Sequence, residues 1–251
     1  MKWAALILAL LFTLDASAQI SRRRAFFATA PSAGGGGGGA LSNTPVVVAS
    51  NVWATATGAP TGTNFTITVS GFHPKVYITA NSFQSSDGLR ATNTTTGLQL
   101  TQRFTTNSYN AADCFKGWWD SAPNAGANVY IVTNRIGASM QEFAGEWILI
   151  TNANSIGTVN VSYVSGNRTG VTNTLTTTSN DLVLHIIGHN KSGGGSGSFD
   201  GTQTLIANAN DGANDASVKV SKTNATVSST TLKLTGATSG QLTGVAETIS
   251  P

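Results

Sequence analysis

"NFTITVS", Asn64 to Ser70, sets Phe65, Ile67 and Val69 on one side of an extended chain and Thr66 and Thr68 on the other. A side-chain period of two belongs to a strand with one face in a core. The period continues outward. "KVYITA" sets Val76 and Ile78 against Tyr77 and Thr79, and "LQLTQRF" sets Leu98, Leu100, Gln102 and Phe104 against Gln99, Thr101 and Arg103. "VYIVT", "EWILIT", "TVNVSYV", "DLVLHII", "SVKVS", "TLKLTG" and "LTGVAET" extend it, with "SGF", "SSDG", "NAGAN", "SGN" and "NDGAND" as turn signals between them. No segment carries a helical stripe. Roughly eleven to thirteen short strands without a βαβ pattern predict an all-β, antiparallel sandwich or barrel. "EWILIT" and "DLVLHII" are apolar on both faces and should be central, covered by the facing sheet on one side and by a loop or partner on the other. No repeat of fixed period is visible, which argues against a solenoid or propeller. One sandwich over residues 43–250 is expected, with Phe65, Ile67, Val76, Ile78, Trp147, Leu149, Leu182, Leu184 and Ile186 buried.

The order of these segments resembles the jelly-roll β-sandwich modules of secreted and surface proteins of bacteria and of phage tail-associated proteins. "NFTITVSG" stands as the early amphipathic strand and "KVYITANSF" as a buried one. A middle region with tryptophans and "NVYIVTN" follows, and "MQEFAGEWILITNA" leads into a loop. "VTNTLTTTSNDLVLHIIGHN" matches the Thr-rich strand, Asn-Asp turn and buried strand of the second half, and "TTLKLTGATSGQLTGVAETISP" matches the closing strand pair. The resemblance implies a structural, adhesive or glycan-binding accessory module and carries over no catalytic residue.

Ahead of this body stands a different kind of sequence. Met1 and Lys2, an apolar run from Trp3 to Leu14, and Ala16, Ser17 and Ala18 read as a secretory signal (residues 1–18) cleaved before Gln19. The apolar run is too short for a membrane span, and no transmembrane segment is expected after it. Residues 19–42 form an arm holding Arg22, Arg23, Arg24, Phe26 and Phe27, then a run of glycine from Gly34 to Gly39. Polyglycine has no side chain to pack, so the arm is expected to be disordered and to order on a partner. Formal net charge is +3. Setting aside Lys2, Asp15 and Arg22–Arg24, residues 25–251 hold 10 Lys+Arg and 10 Asp+Glu, so the body is neutral. Three arginines are a weak phosphate footprint, which argues against nucleic acid as a partner. A single cysteine, Cys114, excludes an intramolecular disulfide, so the core must hold the fold.

The chemistry-bearing residues are few. His185 and His189, four apart on a strand, sit roughly 13 Å apart, too far for one ion at bonds of about 2 Å. His73 precedes Pro74 in a turn and has no nearby ligand. Asp113 with Asp120, or Glu142 with Glu146, are candidate paired carboxylates for glycoside hydrolysis, and no nucleophile elbow or zinc-protease motif occurs. The chain therefore reads as no enzyme, with no cofactor and no metal. Asn208–Asp215 is oxygen-rich but fails the EF-hand spacing and reads as a turn. "DCFKGWWDSAPNAG" is the sharpest local feature. In a loop, Trp118 and Trp119 would offer a stacking face beside Asp120 and Asn124, a sugar-binding arrangement. In a strand they must point to opposite sides and plug the sandwich. Six Asn-x-Ser/Thr sequons begin at Asn64, Asn93, Asn160, Asn167, Asn190 and Asn224 and follow from the Asn- and Thr-rich composition. The expected role is a secreted structural or adhesive module of an extracellular assembly, cell surface or virion surface. A carbohydrate-binding module using the Trp loop is the first alternative and a phage virion accessory protein the second.

Overall fold

The computed structural model describes residues 44–55, 61–83, 88–106, 114–134, 142–190, 196–210, 216–225, 228–238 and 240–251. The signal segment, the arm with Arg22, Arg23, Arg24, Phe26 and Phe27, the glycine run, Asp113 and the end of the Asn208–Asp215 cluster lie outside the described residues.

Among the described residues, the strands before Asn152 are β1 (Val46–Thr55), β2 (Gly62–Val69), β3 (Lys75–Phe83), β4 (Leu89–Asn93), β5 (Leu98–Gln99), β6 (Thr101–Thr106), β7 (Cys114–Asp120), β8 (Gly126–Asn134) and β9 (Glu142–Thr151). Those after it are β10 (Ser155–Arg168), β11 (Val171–Leu175), β12 (Leu182–Asn190), β13 (Ser198–Phe199), β14 (Thr204–Asn210), β15 (Ser217–Asn224), β16 (Thr230–Thr235) and β17 (Gly240–Ser250). All pairings are antiparallel.

The first half makes an inner sheet β1-β9-β3-β7-β6 and an outer sheet β2-β8-β4-β5. This interleaving, in which early strands lie beside late ones, is the jelly-roll order. The second half repeats it, with β10-β17-β12-β15-β14 inside and β11-β16-β13 outside. The duplication extends to register. Ile78 pairs with Trp118 on β3 and β7, and His185 pairs with Ser221 on β12 and β15. Thr79 pairs with Glu146, and Ile186 with Val245. Val76–Ser82 thus corresponds position by position to Val183–His189.

Residues Ser42–Pro251 are one compact unit, but its layers number four where the sequence led to an expectation of two. One core lies between the two sheets of the first half, with Ile67, Val76, Ile78, Trp118, Tyr130 and Leu149. Smaller clusters around Leu234 and Val183 lie between the sheets of the second half. The largest joins the two inner sheets, with Tyr77, Phe115, Trp119, Ile148, Leu184, Ile186, Val218, Val220 and Val245. This explains why "EWILIT" and "DLVLHII" are apolar on both faces: each face meets another sheet, not a loop or a partner chain. "TLKLTG" and "LTGVAET" belong to β16 and β17, which lie in different sheets and do not pair with each other.

The middle layer also dictates where side chains are missing. A Cβ on Gly188 would meet the Phe115 ring at 2.7 Å, so glycine there admits the facing aromatic. All four edge strands of the inner sheets, β1, β6, β10 and β14, carry a register break. Bulges at edges twist the free backbone away from intermolecular pairing. Of the residues expected in the core, Ile67, Val76, Ile78, Leu149, Leu182, Leu184 and Ile186 are buried. Phe65 and Trp147 are only half-buried. Phe65 lies on the outer edge strand β2, where its ring stacks on Trp53 with centroids 4.9 Å apart, and no further strand among the described residues pairs beyond it.

Candidate functional site

The tryptophan pair does not form an exposed platform. Cys114–Asp120 is a strand, so Trp118 and Trp119 point to opposite faces, and both faces are covered. Trp118 is 1% exposed inside the first sandwich and Trp119 is 5% exposed in the layer between the halves. The loop-borne stacking face is corrected to a pair of core plugs. Cys114 is buried beside them.

Asp120 ends the strand and is spent on the fold. Its Oδ2 accepts from Asn93 Nδ2 at 2.9 Å and from the Tyr130 hydroxyl at 2.9 Å, and its Oδ1 accepts from the Ala122 amide at 3.3 Å. Burial and then the Asp120 charge raise the Tyr130 pKa, which keeps the hydroxyl a donor. Asn93 also caps the turn after β4, its Oδ1 accepting from the amides of Thr95 and Thr96. Asn93 is fully buried, so its sequon faces no solvent. Asn124 is exposed on the same loop, and its carbonyl accepts from Asn128 Nδ2 at 2.7 Å.

The histidines are structural. His185 is fully buried, with Nδ1 2.9 Å from Gln203 Oε1 and Nε2 3.2 Å from Asn173 Oδ1. Burial pulls its pKa down to about 4, so the ring is neutral at pH 7. His189 Nε2 lies 3.2 Å from the Thr238 carbonyl. Among the described residues, no group of three His, Cys, Asp or Glu side chains is placed to hold a metal ion. None of the described residues forms a helix long and apolar enough to cross a membrane.

Two buried acids lie between the inner sheets. Glu247 accepts from the Tyr77 hydroxyl at 2.6 Å and from Arg103 Nε at 2.6 Å, while Arg103 Nη2 donates to the Gly157 carbonyl at 2.8 Å. Burial raises the Glu247 pKa, and Tyr77 and Arg103 act against it. Glu146 has less help. Thr79 Oγ1 donates to its Oε1 at 3.2 Å, and its Oε2 has no partner. Burial pushes its pKa up to about 8. Its fellow candidate Glu142 lies four residues away on the same strand, roughly 13 Å along it, too far apart for paired glycosidase carboxylates.

The exposed chemistry gathers at one end of the first sandwich, where the β2–β3, β4–β5 and β7–β8 loops meet the linker from β9 to β10. Here Phe72 is 62% exposed and Leu98 63% exposed. Phe72 stacks on His73 with centroids 4.0 Å apart and planes at 26°. The Phe72 carbonyl accepts from the Asn152 amide at 2.7 Å, and His73 Nδ1 is hydrogen-bonded to Asn154 Oδ1. Lys75 Nζ donates to the Ser121 carbonyl, tying this loop to the one that bears Asn124. The sequence did hold a signal for Phe72. An aromatic between Gly71 and Pro74 sits in a turn with no strand to bury it. Compared with known proteins, the chain matches no protein family, no curated protein and no solved structure.

Proposed function

We propose that this protein is a secreted, non-enzymatic module with a structural or adhesive role, held in a larger extracellular assembly through its Arg/Phe arm. The observation that carries this reading is how the interior polar groups are used. Asp120, His185, Glu247 and Arg103 all bond to other parts of the fold, and the Tyr77–Glu247–Arg103 cluster joins residues 170 apart in sequence across the middle layer. Such spending yields a stiff body whose work is to hold a position rather than to turn over a substrate. The signal-like leader and the neutral body with a cationic arm are the sequence support.

The test is deletion of residues 19–40 with the leader kept, since Ser42–Pro251 is compact by itself. The body should keep its melting temperature and lose salt-sensitive retention on the assembly or cell surface. Intact mass of the exported wild-type chain should begin at Gln19. Retention unchanged at low salt would remove the arm from the reading, and a chain that stays in the cytoplasm would remove the reading itself.

A further inference from the structure

We infer that Phe72, braced by His73 with Asn154 bonded to that brace, is a stacking platform for a pyranose ring of an uncharged polysaccharide. The inference rests on the adhesive reading and names its ligand class.

Exposure alone would not single out Phe72, because isolated apolar side chains are common on surfaces. Its support is what distinguishes it. His73 has φ 45° and Asn152 has φ 58°, two of the three non-glycine residues with positive φ among those described. Such conformations persist where the surroundings over-determine them and concentrate at ligand-binding positions. Both residues hold Phe72 in place. The Asn152 amide binds the Phe72 carbonyl, the Ala153 amide donates to the His73 carbonyl at 3.3 Å, and the Asn154 amide donates to the Ser250 carbonyl at 3.0 Å. The linker and the last strand therefore anchor the tip. A rigid aromatic loses little entropy on binding.

One face of the Phe72 ring rests on His73, which leaves the other to solvent. An aromatic face takes the C–H face of a sugar ring, and amides beside it take the hydroxyls. Asn154 is exposed, and its oxygen holds His73, so its Nδ2 group remains for a ligand. Asn124 stands on the neighbouring loop, fixed relative to Phe72 through Lys75 and Ser121. The nearest carboxylate of these loops, Asp120, is buried in bonds of its own. Among the described residues of these loops there is no exposed acid, and the one cation beside them, Lys75, holds the Ser121 carbonyl, so neither sign of charge is presented to a polymer and an uncharged one fits.

The experiment is retention of the exported full-length chain on immobilised neutral polysaccharides of differing linkage, with four variants. Wild type should bind at least one polymer. Phe72→Ala should weaken binding at least tenfold with the melting temperature unchanged, and Phe72→Trp should retain it. Asn154→Ala should weaken it less. Leu98→Ala, which removes another large exposed apolar residue of this end, should leave it unaltered. No binding by wild type, equal binding by Phe72→Ala, or loss with Phe72→Trp would each overturn the platform. Equal losses in Phe72→Ala and Leu98→Ala would do so too, by showing general hydrophobic adsorption. Surface retention through the arm is measured separately, so a failed platform leaves the adhesive role standing.

Discussion

Where the two sandwiches meet, the chain forms the same seam twice with different chemistry. β10 lies against β6 at one margin of the middle layer, and β1 lies against β14 at the other. By strand order and register these margins are counterparts. Arg103 occupies the register break of β6, and Ile206 occupies that of β14. Glu247 and Ile148 hold matching positions on β17 and β9. Gln102 answers to Leu205, and Trp119 to Lys222. One margin is thus closed by an ion pair of 2.6 Å over a buried indole. The other is closed by aliphatic contact and leaves Val48 and Leu205 about half exposed. One topology accepts either solution because a bulge residue points into the seam whatever its chemistry. The ionic margin must keep its partners matched, whereas the aliphatic margin needs only shape and volume.

The largest expected effect breaks the closed margin from beneath. Trp119→Ala should cost about 3–5 kcal/mol by urea unfolding, the usual loss for a buried indole. Lys222→Ala, its counterpart, should stay within about 0.5 kcal/mol. Next comes Arg103→Ala, which leaves Glu247 buried without its cation and should cost about 3 kcal/mol. Adding Glu247→Leu together with Tyr77→Phe, so that no buried hydroxyl is left without its acceptor, should recover most of that loss, and a triple variant no better than the single would refute the account. Two buried groups, Glu146 and His185, bear on pH. Glu146, buried between the inner sheets, keeps its proton in the folded chain up to about pH 8, against the ordinary carboxyl value of 4.5. The folded state then binds more protons than the unfolded one, so this group's contribution falls as pH rises from 4.5 to 8. His185 works oppositely, its contribution being lost as pH falls from 6.5 to about 4. Glu146→Gln should therefore flatten the decline in melting temperature between pH 6.5 and 8, where His185 no longer titrates. The smallest effect is Leu205→Gln, which copies the residue found at the opposite margin and should change stability by under about 0.5 kcal/mol.

The strands were legible because side-chain alternation is local. Ile67, Val76 and Ile78 announce their faces within a few residues. The doubly apolar "EWILIT" and "DLVLHII" announced central positions, and their second cover proved to be another sheet. The duplication was not legible. Its matched positions hold unlike residues, such as Ile78 and His185 or Trp118 and Ser221, which share register without sharing chemistry. For the tryptophan pair the sequence offered both a loop and a strand. The strand won because aligned β3 and β6 lie on either side of β7 and complete its hydrogen bonds.

By itself the sequence determined the all-β class, the charge balance of residues 25–251 and the dependence on a core without disulfides. Those follow from composition and from contacts between near neighbours in the chain. Tertiary structure alone decided that Trp118 and Trp119 are buried, that Arg103 finds Glu247, that Glu146 keeps its proton and that Phe72 stands clear on a braced turn. Each depends on which distant strand or loop lies opposite, and antiparallel pairing between far-separated strands leaves no local trace in the residues it joins.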